Sequence, residues 1–314
     1  MRLSTRITSI AATVAVVLLL ASQAANAAYY NTYADVASTP DVSGATSTQG
    51  FAAGSTYLYS VKTRSAQDDD RAVIYRVNKD TGATEVMTNG TDGLGYNTWL
   101  GHANDMTIVD IDGDHHLFVV TMAATGAQLV KLRYDGATYY KVGSYAIELN
   151  GAVKAVSGIA KSSVTSTAIN FLFKSGTQIY TASLPLRANS GTIALTKAFS
   201  LDIANAQVNG ATVSNIGDYL TQGMFYDAAH DTLYFPLTLE NRSIVLVYPG
   251  VTPSSTGTVS AASDLSFRIT SSKYTLFEIE GVGVSNGTLW FNTNRANADG
   301  GFDAVHSFDG YTVS

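Results

Sequence analysis

The sequence predicts an all-β chain: a five-bladed β-propeller, its ring closed by an N-terminal strand in the last blade. Three observations predict it. The composition suits strands and tight turns, with 27 Gly, 18 Tyr, only 5 Pro and 14% charged residues in 314. One strand–turn–strand unit recurs five times, starting at residues 49, 104, 157, 222 and 280. Repeats of about 50 residues with four strands each are the signature of propeller blades. The fifth copy runs out of chain before a fourth strand, while a strand-like segment precedes the first copy. A β-sandwich of unrelated hairpins is the alternative that turn spacing alone leaves open.

At the N-terminus, Arg2 and Arg6 precede an apolar stretch from about Ile10 to Ala21, and Ala25-Asn26-Ala27 offers the small-x-small pattern of signal-peptidase cleavage. Residues 1–27 therefore read as a secretory signal peptide and residues 28–314 as one secreted propeller domain. The apolar stretch is too short to span a membrane. The segment "AYYNTYADVAS" (28–38) carries Tyr29, Tyr30 and Tyr33. It is expected to supply the outer strand of the fifth blade, because an open ring would leave an unpaired edge.

The repeats follow in order: "QGFAAGSTYLYSVK", "NDMTIVDIDGDHHLFVVTM", "SGIAKSSVTSTAINFLFK", "QGMFYDAAHDTLYFPLT" and "EGVGVSNGTLWFNTN". A third strand follows each ("AVIYRV", "QLVKLRYDG", "QIYTASLP", "SIVLVYPG", "AVHSFDG"). A fourth follows four of them ("TEVMTNG", "TYYKVGSYAI", "IALTKAFSL", "LSFRITSS").

With no cysteine, disulfides, thiol catalysis and Cys-ligated metals are excluded, so the core alone must hold the fold. A net charge of −6 argues against nucleic acid. It also gives no attraction to anionic wall polymers, whose binding would need local donors or a bridging divalent cation. No other cofactor and no metal site is expected, and the chain reads as a monomer. The second copy holds Asp110, Asp112 and Asp114 at a hairpin tip, spaced like the start of a calcium loop. The glycine is displaced and the distal Glu is missing, so the tip reads as a solvated turn. His115 and His116 are neighbours in a strand and point to opposite faces, so they cannot share one metal.

The other end of each copy carries the candidate site. In a propeller the first strand of each blade lines the channel, and all five first strands begin on one face. That rim would hold Gln49, Asn104, Asp105, Ser157, Gln222 and Glu280, with His102 just before. A polar rim converging on a concave opening is a binding-site geometry; the alternative is hydrogen bonding at blade junctions. The chain has no Gly-x-Ser-x-Gly, His-Glu-x-x-His or phosphate-cradling loop. Asp105 and Glu280 are the candidate catalytic carboxylates of a glycosidase. Trp99, Tyr226 and Trp290 are candidates to stack on a sugar.

The segments "QGFAAGSTYLYSVK", "AVIYRVNKDTGATEVMTNG", "LGHANDMTIV", "SIVLVYPGV", "LSFRITSSKYTLFEIEG" and "LWFNTNRA", spread from about Gln49 to Gly310, resemble the helveticin J family of large class III bacteriocins. The resemblance implies a propeller and a secreted, heat-labile antibacterial protein acting on the bacterial envelope. It carries over no catalytic set. The combined expectation is a bacteriocin-like protein that binds a cell-envelope polysaccharide, a wall glycan or teichoic acid, at the rim. The alternatives are a glycoside or cell-wall hydrolase using channel carboxylates, or a structural surface protein.

Overall fold

The computed structural model describes residues 33–64, 71–122, 126 and 128–308. The expected signal peptide (1–27), the mature start at Ala28, and Tyr29 and Tyr30 lie outside the described residues. The described chain is all-β, as expected, with one 3-10 turn at Ile216–Asp218. No helix among the described residues is long and apolar enough to cross a membrane.

The first strand is β1 (Tyr33–Ser38). A four-stranded antiparallel unit follows: β2 (Ser47–Ala53), β3 (Tyr57–Thr63), β4 (Ala72–Asn78) and β5 (Thr84–Val86). The second unit is β6 (Asp105–Ile111), β7 (Asp114–Val120), β8 (Gln128–Asp135) and β9 (Thr138–Leu149). The third is β10 (Gly158–Val164), β11 (Ala168–Ser175), β12 (Gln178–Pro185) and β13 (Ser190–Asp202). The fourth is β14 (Phe225–Asp227), β15 (Thr232–Leu239), β16 (Arg242–Tyr248) and β17 (Phe267–Thr270). The fifth is β18 (Leu276–Ser285), β19 (Thr288–Asn297) and β20 (Ala304–Phe308), to which β1 adds an antiparallel edge, Tyr33 opposite Phe308. The N-terminal strand therefore sits where the unpaired edge of the last unit required one.

The first strands of the units lie against one another in a closed cycle. β2 touches β6 and β18, β10 touches β6 and β14, and β14 touches β18. The two-residue strand period explains how each unit packs on both neighbours. On β7, Leu117 and Val119 face the first unit, packing with Val61 and Ile74. Phe118 and Val120 face the third, packing with Ile159 and Phe171. The same alternation buries Leu233, Phe235 and Leu237 against the third unit and Tyr234 against the fifth. Val36, Ala37 and Val305 meet Phe51, Leu58 and Val77 where the fifth unit returns to the first.

At the outside, long fourth strands cross to the next unit. β9 runs parallel to β13, Ser144 opposite Ser190 through Leu149 opposite Leu195. β13 runs parallel to Gly257–Ser260. This merges the second and third units into one continuous sheet, a pairing that the separate repeats did not suggest.

Candidate functional site

The expected rim residues converge, but on one another. Gly50 N–H donates to Ala103 O (3.0 Å), and Gly223 N–H to Glu280 O (2.8 Å). Asn104 Nδ2 donates to Ser157 O (2.6 Å), and Asn292 Nδ2 to Gln49 O (2.7 Å). Asp105 opens β6, and its carboxylate accepts three backbone N–H groups. Oδ1 takes that of Met106 (2.9 Å), and Oδ2 takes those of Ile159 (2.9 Å) and Met224 (3.0 Å). One side chain thus joins the second, third and fourth units. It is 1% exposed. Burial pushes its carboxyl up to about 7, against the pull of those donors and of the Lys174 ammonium. Lys174 is itself fully buried, and desolvation lowers it to about 8.

Glycines allow this approach. A Cβ on Gly223 would stand 2.9 Å from both Asp105 Oδ1 and Glu280 O, and one on Gly281 would stand 2.7 Å from the Phe51 Cβ. The strands approach one another closely here.

Glu280 does not begin its strand, as the repeat boundary implied. β18 starts at Leu276, and Glu280 lies at a register shift between Ile279 and Gly281. It is buried and hydrogen-bonded to Glu278. Burial first, then Glu278 and Asp303, hold its carboxyl well above the ordinary range. Gln49 is buried inside β2. Its Nε2 reaches Ser47 Oγ (3.1 Å), and its Oε1 has no partner among the described residues. Gln222 Nε2 donates to Thr238 Oγ1 (3.1 Å). Ser157 is half-buried, and His102 is exposed and stands apart from these bonds.

The open end of the channel is the opposite one, at the hairpins between first and second strands. A cavity of about 550 Å³ lies there. Tyr57, Tyr59 and Tyr134 line one wall; the Tyr59 and Tyr134 rings are 5.0 Å apart, and His115 stacks on Tyr134 at 5.5 Å. Two carboxylates line it, Asp110 from the second unit and Asp227 from the fourth. Each holds a histidine: Asp110 Oδ1 meets His115 Nδ1 at 2.6 Å, and Asp227 Oδ2 meets His230 Nδ1 at 2.7 Å. Arg76 and Lys161 supply cations.

The Asp110–His115 pair has a local origin. Asp112 and Gly113 both take positive φ (54° and 90°), the two-residue turn that Asp-Gly favours. That turn sets Ile111 opposite Asp114, and hence Asp110 opposite His115. The pairing was therefore readable from "DIDGDH", but reading the tip as a solvated turn passed over it. His116 points the other way and is buried, as alternation required. Of the three candidate sugar-stacking aromatics, only Tyr226 lines the cavity. Trp99 packs between the first two units, and Trp290 between the fifth and the first. Among the described residues no group of three or more His, Asp or Glu side chains is arranged to hold a metal ion.

No family model matches the chain, and no curated protein matches its sequence. Its fold is similar to that of solved glycosyl hydrolases. A putative glycosidase from Bacteroides thetaiotaomicron aligns with TM-score 0.53 at 11% identity, over 90% of this chain and 98% of that one. A GH43 β-xylosidase/α-arabinofuranosidase from a compost microbial metagenome, solved with xylotriose, aligns with TM-score 0.53 at 10% identity, also over 90% and 98%. A glycosyl hydrolase from Bacteroides ovatus aligns with TM-score 0.50 at 10% identity, over 87% and 86%. These findings overturn the resemblance to the helveticin J family, which no sequence match supports. The expected bacteriocin-like, antimicrobial action at the cell envelope is corrected with it.

Proposed function

We propose that the five units are the blades of a five-bladed propeller, and that the protein is a glycoside hydrolase working from the hairpin end of the channel. One observation carries this reading. The cavity is faced by carboxylates from two non-adjacent units, Asp110 and Asp227, and by Tyr57, Tyr59, Tyr134 and Tyr226. Glycosidic hydrolysis needs two carboxyl groups on either side of the bond: one protonates the leaving oxygen, the other attacks or activates water. The tyrosine faces provide apolar surface for a sugar ring, and the histidines held by each acid are proton carriers. The shared fold with glycosyl hydrolases supports the reaction class.

The test is turnover of 4-nitrophenyl β-xyloside, 4-nitrophenyl α-arabinofuranoside and xylotriose by the purified protein. Asp110→Asn should lower kcat about a hundredfold or more, while Glu280→Gln, at the closed end, should leave it within about threefold if the variant folds. Loss of turnover in Glu280→Gln with full activity in Asp110→Asn would overturn the assignment.

A further inference from the structure

Resting on that reading, we infer that the saccharide taken by this cavity carries an anionic group, and that Lys161 selects it. The charges around the cavity are paired, with one exception. Asp110 is held by His115, and Asp227 by His230 and by the Ala229 N–H at 3.0 Å. Arg76 is engaged by Glu85, at 2.8 Å through Nε and 2.7 Å through Nη2, and lies over the Tyr57 ring. Lys161 also lines the cavity and is half-buried. Its backbone N–H donates to Thr107 Oγ1 (3.3 Å). Its ammonium has no hydrogen bond or ion pair among the described residues.

Lys161 lies on β10, in the third unit, between the units that carry Asp110 and Asp227. A neutral sugar seated against the two acids would desolvate this ammonium without giving it a counter-charge, which is costly. A carboxylate or sulfate on the sugar would pair with it in a charge-assisted hydrogen bond. Lysine suits this task, since its three N–H groups can donate to the oxygens of a carboxylate or a sulfate alike.

The experiment measures binding by calorimetry at low and high salt with three probes: a xylo-oligosaccharide bearing one glucuronic acid, a sulfated trisaccharide and neutral xylotriose. Turnover of the same probes is followed in parallel. The wild type should bind at least one anionic probe about tenfold more tightly than xylotriose, with the advantage shrinking at high salt. Which anionic probe wins separates carboxylate from sulfate. Lys161→Met should cut the ratio of anionic to xylotriose affinity to about twofold, while Lys161→Arg keeps most of it. Lys161→Gln serves if the Met variant does not fold.

Equal binding of all three probes by the wild type, or a preference that survives Lys161→Met, would overturn the inference and leave the hydrolase reading standing. Equal slowing of neutral and anionic turnover in Lys161→Met would also overturn it, assigning Lys161 to tuning the acids. Failure to bind or cleave any saccharide would overturn the glycan reading and this inference together.

Discussion

Replacing Asp105 separates a structural carboxylate from a catalytic one. The side chain accepts backbone N–H groups from Met106, Ile159 and Met224, and its charge acts on buried Lys174. In Asp105→Ala, three buried donors lose their acceptor at about 1–3 kcal/mol each. Partial refilling by water should reduce the sum, leaving a loss of about 3–6 kcal/mol. That is a large share of the roughly 5–15 kcal/mol typical of a folded domain. Asp105→Asn keeps one oxygen and the shape. It can hold Ile159 and Met224, but turns an amide donor toward the Met106 N–H, so about half the loss is expected. Urea unfolding at pH 7, followed by near-ultraviolet circular dichroism and fluorescence, measures both. A variant as stable as the wild type but inactive on every saccharide tested would refute the reasoning, because it would show Asp105 acting on substrate.

Two further outcomes concern the closing strand. Deleting residues 28–38 removes Tyr33, whose ring lies 5.4 Å from Phe277 and 5.1 Å from His306, and Asp35, which pairs bidentately with Arg295 at 2.9 Å. The truncated protein should lose several kcal/mol and melt about 10 °C lower; an unchanged melting temperature would show that the strand is not needed to close the fifth unit. Acidification should act through His306, which is fully buried and which desolvation lowers to about 4, opposed by its hydrogen bond to Asp35. Its folded value lies below the unfolded one of about 6.5, so the stability it contributes is complete above pH 6.5 and is lost as pH falls toward 4. The loss is about 3 kcal/mol. A melting temperature flat from pH 7 to 4, or falling equally in His306→Asn, would contradict this.

Much of the architecture was legible because it rests on local chemistry. The Asp112-Gly113 turn and the strand alternation around Leu117 and Phe118 are set within one hairpin and appear where the sequence placed them, whereas the repeat starts at Gln49 and Glu280 fall inside their strands. The strand from the N-terminal segment followed from edge pairing. The site was less legible. Their places in the repeats set Gln49, Asn104 and Glu280 at one rim. Nothing in their spacing told a polar opening from a set of hydrogen bonds that consume the same groups. Asp110 and His115 were visible as a cross-strand pair, but Asp227 and Lys161 stand in other repeats and acquire meaning only when the hairpins face one cavity.

By itself, then, the sequence determined the all-β class, the order of the hairpins and the position of the N-terminal strand. Strand period and turn conformation are set by residues a few positions apart. Tertiary structure decided which end of the channel is closed and which is open. That depends on how near strands some fifty residues apart approach, and on whether a buried carboxylate such as Asp105 finds backbone donors in other units. Where donors and close-packed glycines meet it, the end is sealed; where hairpin tips diverge, polar side chains are left facing a cavity.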